Sequence, residues 1–414
     1  VSGDLSRAHF SKKWLAALAF AGAVAGSLFL LKLITPETFT GYDGNFYEAM
    51  TRELFSKNPR AGTAPYCYRL FPACLLHFVP LVPRVSYSLF NALAYAAAAG
   101  LFFSLFRALG YGLRESSLGV FFFLFSWITV RFGFFYPAQV DPAYYLILAA
   151  AFSAAYQGWN WLFFLALLAG ALTREYFITL IPVYYFARRA AAGAAVQRCN
   201  GAAVNRRVIG RTLLFAGIPV MIFVALKILI RPANADFSYS EHAAEFARLF
   251  VATGRRIVHS YFNVYGVLLF IILLRLPGSF RFLFRRPGLF FYLVISTALL
   301  VIGGADRCRI NAVAFPVFLI LGLEAMKARP EVYARTPMVA FLVGAHLFLN
   351  RVLSPMTAEN YRRIWWSEVS FCPEEVFRSS SRTYLLVFIA FVLLYAGFRF
   401  RARMAKRGSI EQRA

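Results

Sequence analysis

Residues 86–106, SYSLFNALAYAAAAGLFFSLF, decide the fold class: 21 consecutive positions contain no Asp, Glu, Lys or Arg. A helix rises about 1.5 Å per residue, so a run of this length crosses a hydrocarbon layer of about 30 Å. A helix also satisfies its own backbone amides, which lipid cannot do. On either side of this run the chain repeats the pattern. Twelve apolar blocks lie between residues 14 and 400, separated by Arg-rich or Pro-containing stretches. With 60% of the 414 residues hydrophobic and 15% charged, little sequence is left for a soluble domain. The expected fold is an all-α polytopic membrane protein of about twelve transmembrane helices, residues 1–414 forming a single integral membrane domain.

A net charge of +25 in a soluble protein would point to nucleic acid, but here the position of the charge matters more than its size. With the N-terminus in the cytoplasm, the alternation of spans assigns 24 of the 44 basic residues to cytoplasmic segments, together with five of the 19 acids. The other 14 acids face outward. Basic residues set orientation, so both termini are expected in the cytoplasm, in a multi-pass protein of the cell inner membrane with lipids rather than nucleic acid around it. The basic loop 188–211 then faces inward, and the loops 35–85, 232–260 and 351–382 face outward. Shorter outer turns are centred on Asp141, on Thr173 to Glu175 and on Asp306 to Arg309.

The block from Trp14 to Ile34 is longer than the usual signal-peptide core and reads as an uncleaved first helix. The five cysteines show no CxxC spacing and no Cys/His cluster. No N-x-S/T sequon occurs, which is compatible with a bacterial inner membrane. Residues 159–186 pose a topological choice, because one span would put the basic pair Arg188 and Arg189 outside. Two short helices meeting at Thr173, Arg174 and Glu175 keep that pair inside, and charged residues at such a turn are tolerated where protein or water surrounds them.

The outer turns hold the residues with chemical potential. Phe46, Tyr47, Met50, Leu54 and Phe55 recur at helical spacing, predicting an amphipathic helix at the membrane surface. Asp43 just before it reads first as an N-cap and, with Gly44 beside it, equally as a turn residue. Asp141 before Pro142 also reads as a cap, Arg174 with Glu175 as a local ion pair, and Asp306 with Arg309 as a solvated turn. Against those readings stands the recurrence: four acids mark four separate outward turns, where neutral residues would end an apolar helix at lower cost.

Four stretches carry a resemblance: YDGNFY (42–47), PYCYRLFP (65–72), LTREY (172–176) and GGADRCR (303–309). In these the chain resembles bacterial membrane proteins of the GT-C glycosyltransferase superfamily, which take sugar from a polyprenyl-linked donor. The resemblance implies a large first outer loop with surface helices, an acidic catalytic residue in it, matched by Asp43, and a second acid in the next outer loop, matched by Asp141. It implies hexosyl or pentosyl transfer from a polyprenyl-phosphate sugar to a glycan, lipid or protein acceptor of the cell envelope. The paired DxD or ExD of many metal-dependent relatives is lacking, so a divalent metal stays an open question and no other cofactor is expected.

The residue types suit that chemistry. Inverting glycosyl transfer needs a base for the acceptor hydroxyl and positive groups for the departing phosphate. Asp43 is the candidate base, and Arg69, Arg174, Arg307 and Arg309 are candidate phosphate contacts, because a guanidinium holds phosphate oxygens bidentately. Tyr42, Gly44, Tyr47, Glu175 and Asp306 are the supporting residues. Arg69 reads equally as a side chain snorkelling to headgroups. The rival function is a transporter or flippase of a lipid-linked or anionic solute, whose charges belong near the bilayer midplane.

Overall fold

The computed structural model describes residues 21–22, 43–53, 62–196, 201–234, 238–252, 254–302, 307–352 and 374–411. Every regular element among them is helical. Four helices are long and apolar enough to cross a membrane: Pro83–Ala108, Val208–Leu229, Cys308–Lys327 and Arg378–Ala405. Two bent pairs, each counted as one span, bring the number to six. Shorter apolar helices run over Asn160–Ala171, Pro287–Ile302 and Thr336–Leu349. Apart from residues 21 and 22, the predicted first helix lies outside the described residues, as do Tyr42, Asp306 and most of the last outer loop.

The centre of the bundle is the pair Pro83–Ala108 and Asp141–Gln157. Ser153 Oγ donates to the Leu101 carbonyl at 2.7 Å and Ser104 Oγ to Gln157 Oε1 at 3.1 Å. The contacts advance together along both helices, so the two run parallel. Ala94, Ala98 and Ala99 on one and Ala149, Ala151 and Ala154 on the other are buried. Small side chains let backbones approach closely, which is how helices associate where lipid supplies no hydrophobic drive.

The segment returning between them is broken, with Leu113–Leu124 and Trp127–Phe135 meeting at 41°. A break exposes backbone groups, and here side chains take them up. The Trp127 amide donates to Asn350 Oδ1 at 3.0 Å, Thr129 Oγ1 donates to the Phe123 carbonyl at 2.6 Å, and His346 Nε2 lies 3.1 Å from the Phe122 carbonyl. Beyond the bend, buried Asn91 donates from Nδ2 to the carbonyls of Gly133 and Pro137, at 2.8 and 2.9 Å. That clamp fixes the chain four residues before Asp141. Asn91→Ala strands both carbonyls and is expected to cost about 1–3 kcal/mol. Thermal unfolding of the purified protein in detergent measures it, and an unchanged midpoint would remove the clamp from the account.

Charged side chains gather at two opposite ends of the Pro83–Ala108 helix. At its C-terminal end Lys327 Nζ donates to the Gly110 carbonyl at 3.0 Å and Arg114 to the Ala334 carbonyl. At its N-terminal end the first loop docks, Tyr87 Oη lying 2.9 Å from Thr51 Oγ1. The segment 159–186 forms two helical pieces: Asn160–Ala171, then a 3₁₀ turn over Glu175–Thr179 leading into Leu180–Val196.

The helix predicted from Phe46 onward spans Gly44–Arg52, while Leu54 and Phe55 lie outside the described residues. Its apolar face meets protein. Tyr47 and Met50 pack with Leu70, Ala73, Leu76, Tyr87, Ala138 and Val140. A neighbouring short helix, Ala73–His77, offers that face a complementary apolar surface, so it is covered without lipid.

Candidate functional site

Asp43 occupies the N-cap position of Gly44–Arg52, yet its side chain makes no capping bond. Its backbone carbonyl accepts from the amides of Phe46 at 3.1 Å and Tyr47 at 3.4 Å, which leaves the carboxylate available. Arg309 Nη1 donates to Asp43 Oδ2 at 3.0 Å, across 266 positions of sequence. The same guanidinium donates from Nη2 to Asp141 Oδ2 at 2.7 Å and to Gln139 Oε1 at 3.0 Å. Arg174 Nη2 completes the set at 2.8 Å from Asp141 Oδ1. Asp141 is therefore the first residue of its helix without capping it, both oxygens being spent on arginines. Arg309 and Arg174 also lie over aromatic faces, Phe132 at 5.6 Å and Tyr144 and Tyr176 at 5.9 Å, which suits a weakly hydrated guanidinium.

A second network starts at the neighbouring residue. Glu175 turns away from Arg174 and lies 3.3 Å from Arg69 Nη2 and 3.6 Å from Lys227 Nζ. Tyr239 Oη donates to Glu175 Oε1 at 3.1 Å and itself accepts from Lys227. Main-chain contacts fix these positions. The Phe71 amide donates to the Leu172 carbonyl at 2.8 Å, bringing the Arg69 loop to the Glu175 turn. The Ala233 amide donates to the Gly62 carbonyl at 2.8 Å, and Ala64 donates to Asn234 Oδ1 at 2.7 Å, tying the end of the Lys227 helix to the same loop. Burial alone would raise the Glu175 carboxyl, but Arg69 and then Lys227 outweigh it and hold the group at about 2. The stability it contributes is present above its ordinary value and fades as pH falls toward 2.

Tyr47 and Tyr66 join the two networks. The Tyr47 hydroxyl accepts from Arg69 Nη1 at 3.4 Å, and burial, opposed by Arg69, raises its pKa and keeps it a neutral phenol. Tyr66 stacks on Phe46 at 4.2 Å, meets the Tyr47 ring edge-on at 5.9 Å and carries the Arg69 guanidinium 5.7 Å from its ring centre.

Exposure divides the cluster into a floor and a rim. Side chains of Asp141, Arg174 and Arg309 are 3%, 6% and 6% exposed. Those of Asp43, Arg69, Glu175 and Lys227 are 18%, 15%, 20% and 19% exposed. The rim thus offers two carboxylates and two cations to an incoming molecule, above a floor in which one carboxylate is held between two arginines.

Of the residues predicted from sequence, Asp43, Asp141, Arg69, Arg174, Arg309, Tyr47, Gly44 and Glu175 come together, Gly44 as the buried first residue of its helix. Tyr42 and Asp306 lie outside the described residues, and Arg307 is described only as the first residue of a short helix, Arg307–Asn311. Arg174 and Glu175 do not pair with each other, and Arg309 is no solvated turn residue. Sequence reasoning missed Lys227, Tyr239 and Gln139. Lys227 carried a signal, a lone charge near the end of an apolar block. Gln139 carried none.

The residues do not fit a divalent metal. Arg309 stands between the two carboxylates that a cation would need, and no group of three His, Cys, Asp or Glu gathers among the described residues. Neither a family model, nor a curated protein, nor a solved structure matches this chain.

Proposed function

We propose that this protein is a membrane glycosyltransferase of GT-C type, moving a sugar from a polyprenyl-phosphate donor to a cell-envelope acceptor at the extracytoplasmic face. One observation carries the reading: Asp43, Asp141, Arg174 and Arg309, from four distant stretches of sequence, meet in a single ion-paired cluster with Asp43 on its accessible rim. In this reaction the Asp43 carboxylate takes the proton of the acceptor hydroxyl while that oxygen attacks the anomeric carbon. The bond from that carbon to the phosphate oxygen breaks, its electron pair leaves with the phosphate, and configuration inverts. Cations near the leaving oxygen stabilise the charge that develops there.

The membrane setting supports an enzyme over a transporter. Asp141 opens its helix, Arg309 is the second residue of Cys308–Lys327, and Lys227 lies two residues from the end of Val208–Leu229. Charges at span ends suit chemistry at the boundary, whereas a transporter needs them near the midplane. About twelve helices with both termini in the cytoplasm put this boundary outside, where lipid-linked sugars rather than nucleotide sugars are the available donors. An apolar cavity of about 450 Å³ suits an isoprenoid chain; Val258, Phe262, Tyr384, Leu385 and Phe388 are among its lining residues. The helix Gly254–Tyr265, which carries Val258 and Phe262, is bonded to the Arg309 segment, Asn311 Nδ2 donating to Ser260 Oγ at 3.4 Å.

Purified protein in liposomes, supplied with a radiolabelled polyprenyl-phosphate sugar and a cell-envelope extract, should move label covalently into the acceptor fraction and release polyprenyl phosphate. Movement of intact donor across the bilayer without covalent transfer would overturn the proposal in favour of a flippase.

A further inference from the structure

Resting on that reading, we infer that Arg69 and Lys227 form the subsite for the phosphate ester of the substrate, whereas Arg174 and Arg309 serve to hold the carboxylates. Contact lengths separate the two pairs of cations. Arg174 and Arg309 approach Asp141 at 2.8 and 2.7 Å, saturating it. Arg69 and Lys227 share Glu175 at 3.3 and 3.6 Å, so neither is held at charge-assisted hydrogen-bond length. Charge separates them as well. The Asp43–Asp141 network balances two cations with two carboxylates, while the Glu175 network has two cations for one and keeps a surplus positive charge. A singly charged phosphate diester matches that surplus.

The geometry also suits the reaction. Lys227 Nζ lies 3.8 Å from the Tyr68 ring centre and 4.1 Å from that of Tyr239, so aromatic walls orient the ammonium and thin its hydration. Arg69 Nε is buried without a hydrogen-bond partner, as is Arg174 Nε, so the contact lengths and the charge balance are what set the two pairs of cations apart. Tyr66 faces the Arg69 guanidinium at 5.7 Å and stacks at 4.2 Å on Phe46, three residues after Asp43. Arg69 also donates to the hydroxyl of Tyr47, one helical turn after Asp43, which puts the proposed phosphate contact beside the helix that the base opens. Glu175 competes with the incoming phosphate for the two cations and has to yield when it binds.

Binding of farnesyl phosphate to the full-length protein in detergent, followed by calorimetry, tests this. Lys227→Met should weaken binding about tenfold or more, and Lys227→Arg should restore most of it. Glu175→Gln, which removes the competing charge, should tighten binding severalfold. Were Arg69 and Lys227 only structural partners of Glu175, that substitution would lower thermal stability and bring no gain in affinity. Wild-type affinity in both Lys227→Met and Glu175→Gln would overturn the inference. Inorganic phosphate competing at equal concentration assigns the subsite to the phosphate group alone, and a large advantage for farnesyl phosphate assigns it to lipid-linked esters. If the binding pattern holds and sugar transfer never occurs, the enzyme reading falls and the anion subsite stands; if transfer occurs with unaltered binding in both variants, the reverse holds.

Discussion

Asp43→Asn is expected to lower sugar transfer by about 10²–10⁴-fold, the usual contribution of a positioned general base, while leaving the protein folded. Asn keeps the shape and one acceptor oxygen, so the contact to Arg309 at 3.0 Å can persist in weaker form, but the amide cannot take a proton from an acceptor hydroxyl. Arg309 retains Asp141 and Gln139, and Asp43 lies on the rim, so the unfolding temperature should move little. Gln139→Ala is the control. It too removes one contact of Arg309, yet removes no base, and should keep transfer within about tenfold of wild type. Transfer from a radiolabelled polyprenyl-phosphate sugar measures both variants. A rate for Asp43→Asn within a few-fold of wild type would take the base role away from this residue.

The all-helical, membrane-type architecture was legible because lipid imposes few solutions, whereas against about twelve expected spans the described residues hold four to six helices long and apolar enough to cross. A run such as residues 86–106 admits only a helix, and the arginines at its end and around Gly110 fall opposite the Asp141 turn, as alternating spans require. The Thr173 to Glu175 turn was legible for the same reason. What the sequence concealed was pairing. Asp43 looks like a cap because the neighbours visible in sequence are the amides three residues ahead, whereas its partner is 266 positions away. Arg174 and Glu175 look like an ion pair because they are adjacent, but the extended backbone of Arg174, with φ −156° and ψ 145°, sends consecutive side chains in opposite directions. The Gly44–Arg52 helix was legible as amphipathic, and its partner was not, since an apolar face does not record whether protein or lipid covers it.

Asp141→Asn should show the complementary pattern, loss of stability before any question of chemistry arises. Its carboxylate is 3% exposed and stands between two arginines that are themselves 6% exposed. Removing the charge leaves Arg174 buried without its carboxylate and Arg309 dependent on Asp43 and Gln139. Breaking a buried pair by deleting one partner costs about 3–5 kcal/mol, because the stranded charge is not rehydrated. Adding Arg174→Met to Asp141→Asn removes the stranded charge too, so the double variant should unfold at a higher temperature than Asp141→Asn alone, with a coupling of about 1–3 kcal/mol. Thermal unfolding of the four members of this cycle in detergent gives that coupling directly. Additive effects would mean that water reaches Asp141 and that the floor of the site is hydrated, in which case Asp141 would contend with Asp43 for the base role. A large coupling, together with an Asp43→Asn variant that is stable but inactive, assigns the two acids to different tasks: one keeps two guanidinium groups buried and aimed, and the other meets the substrate.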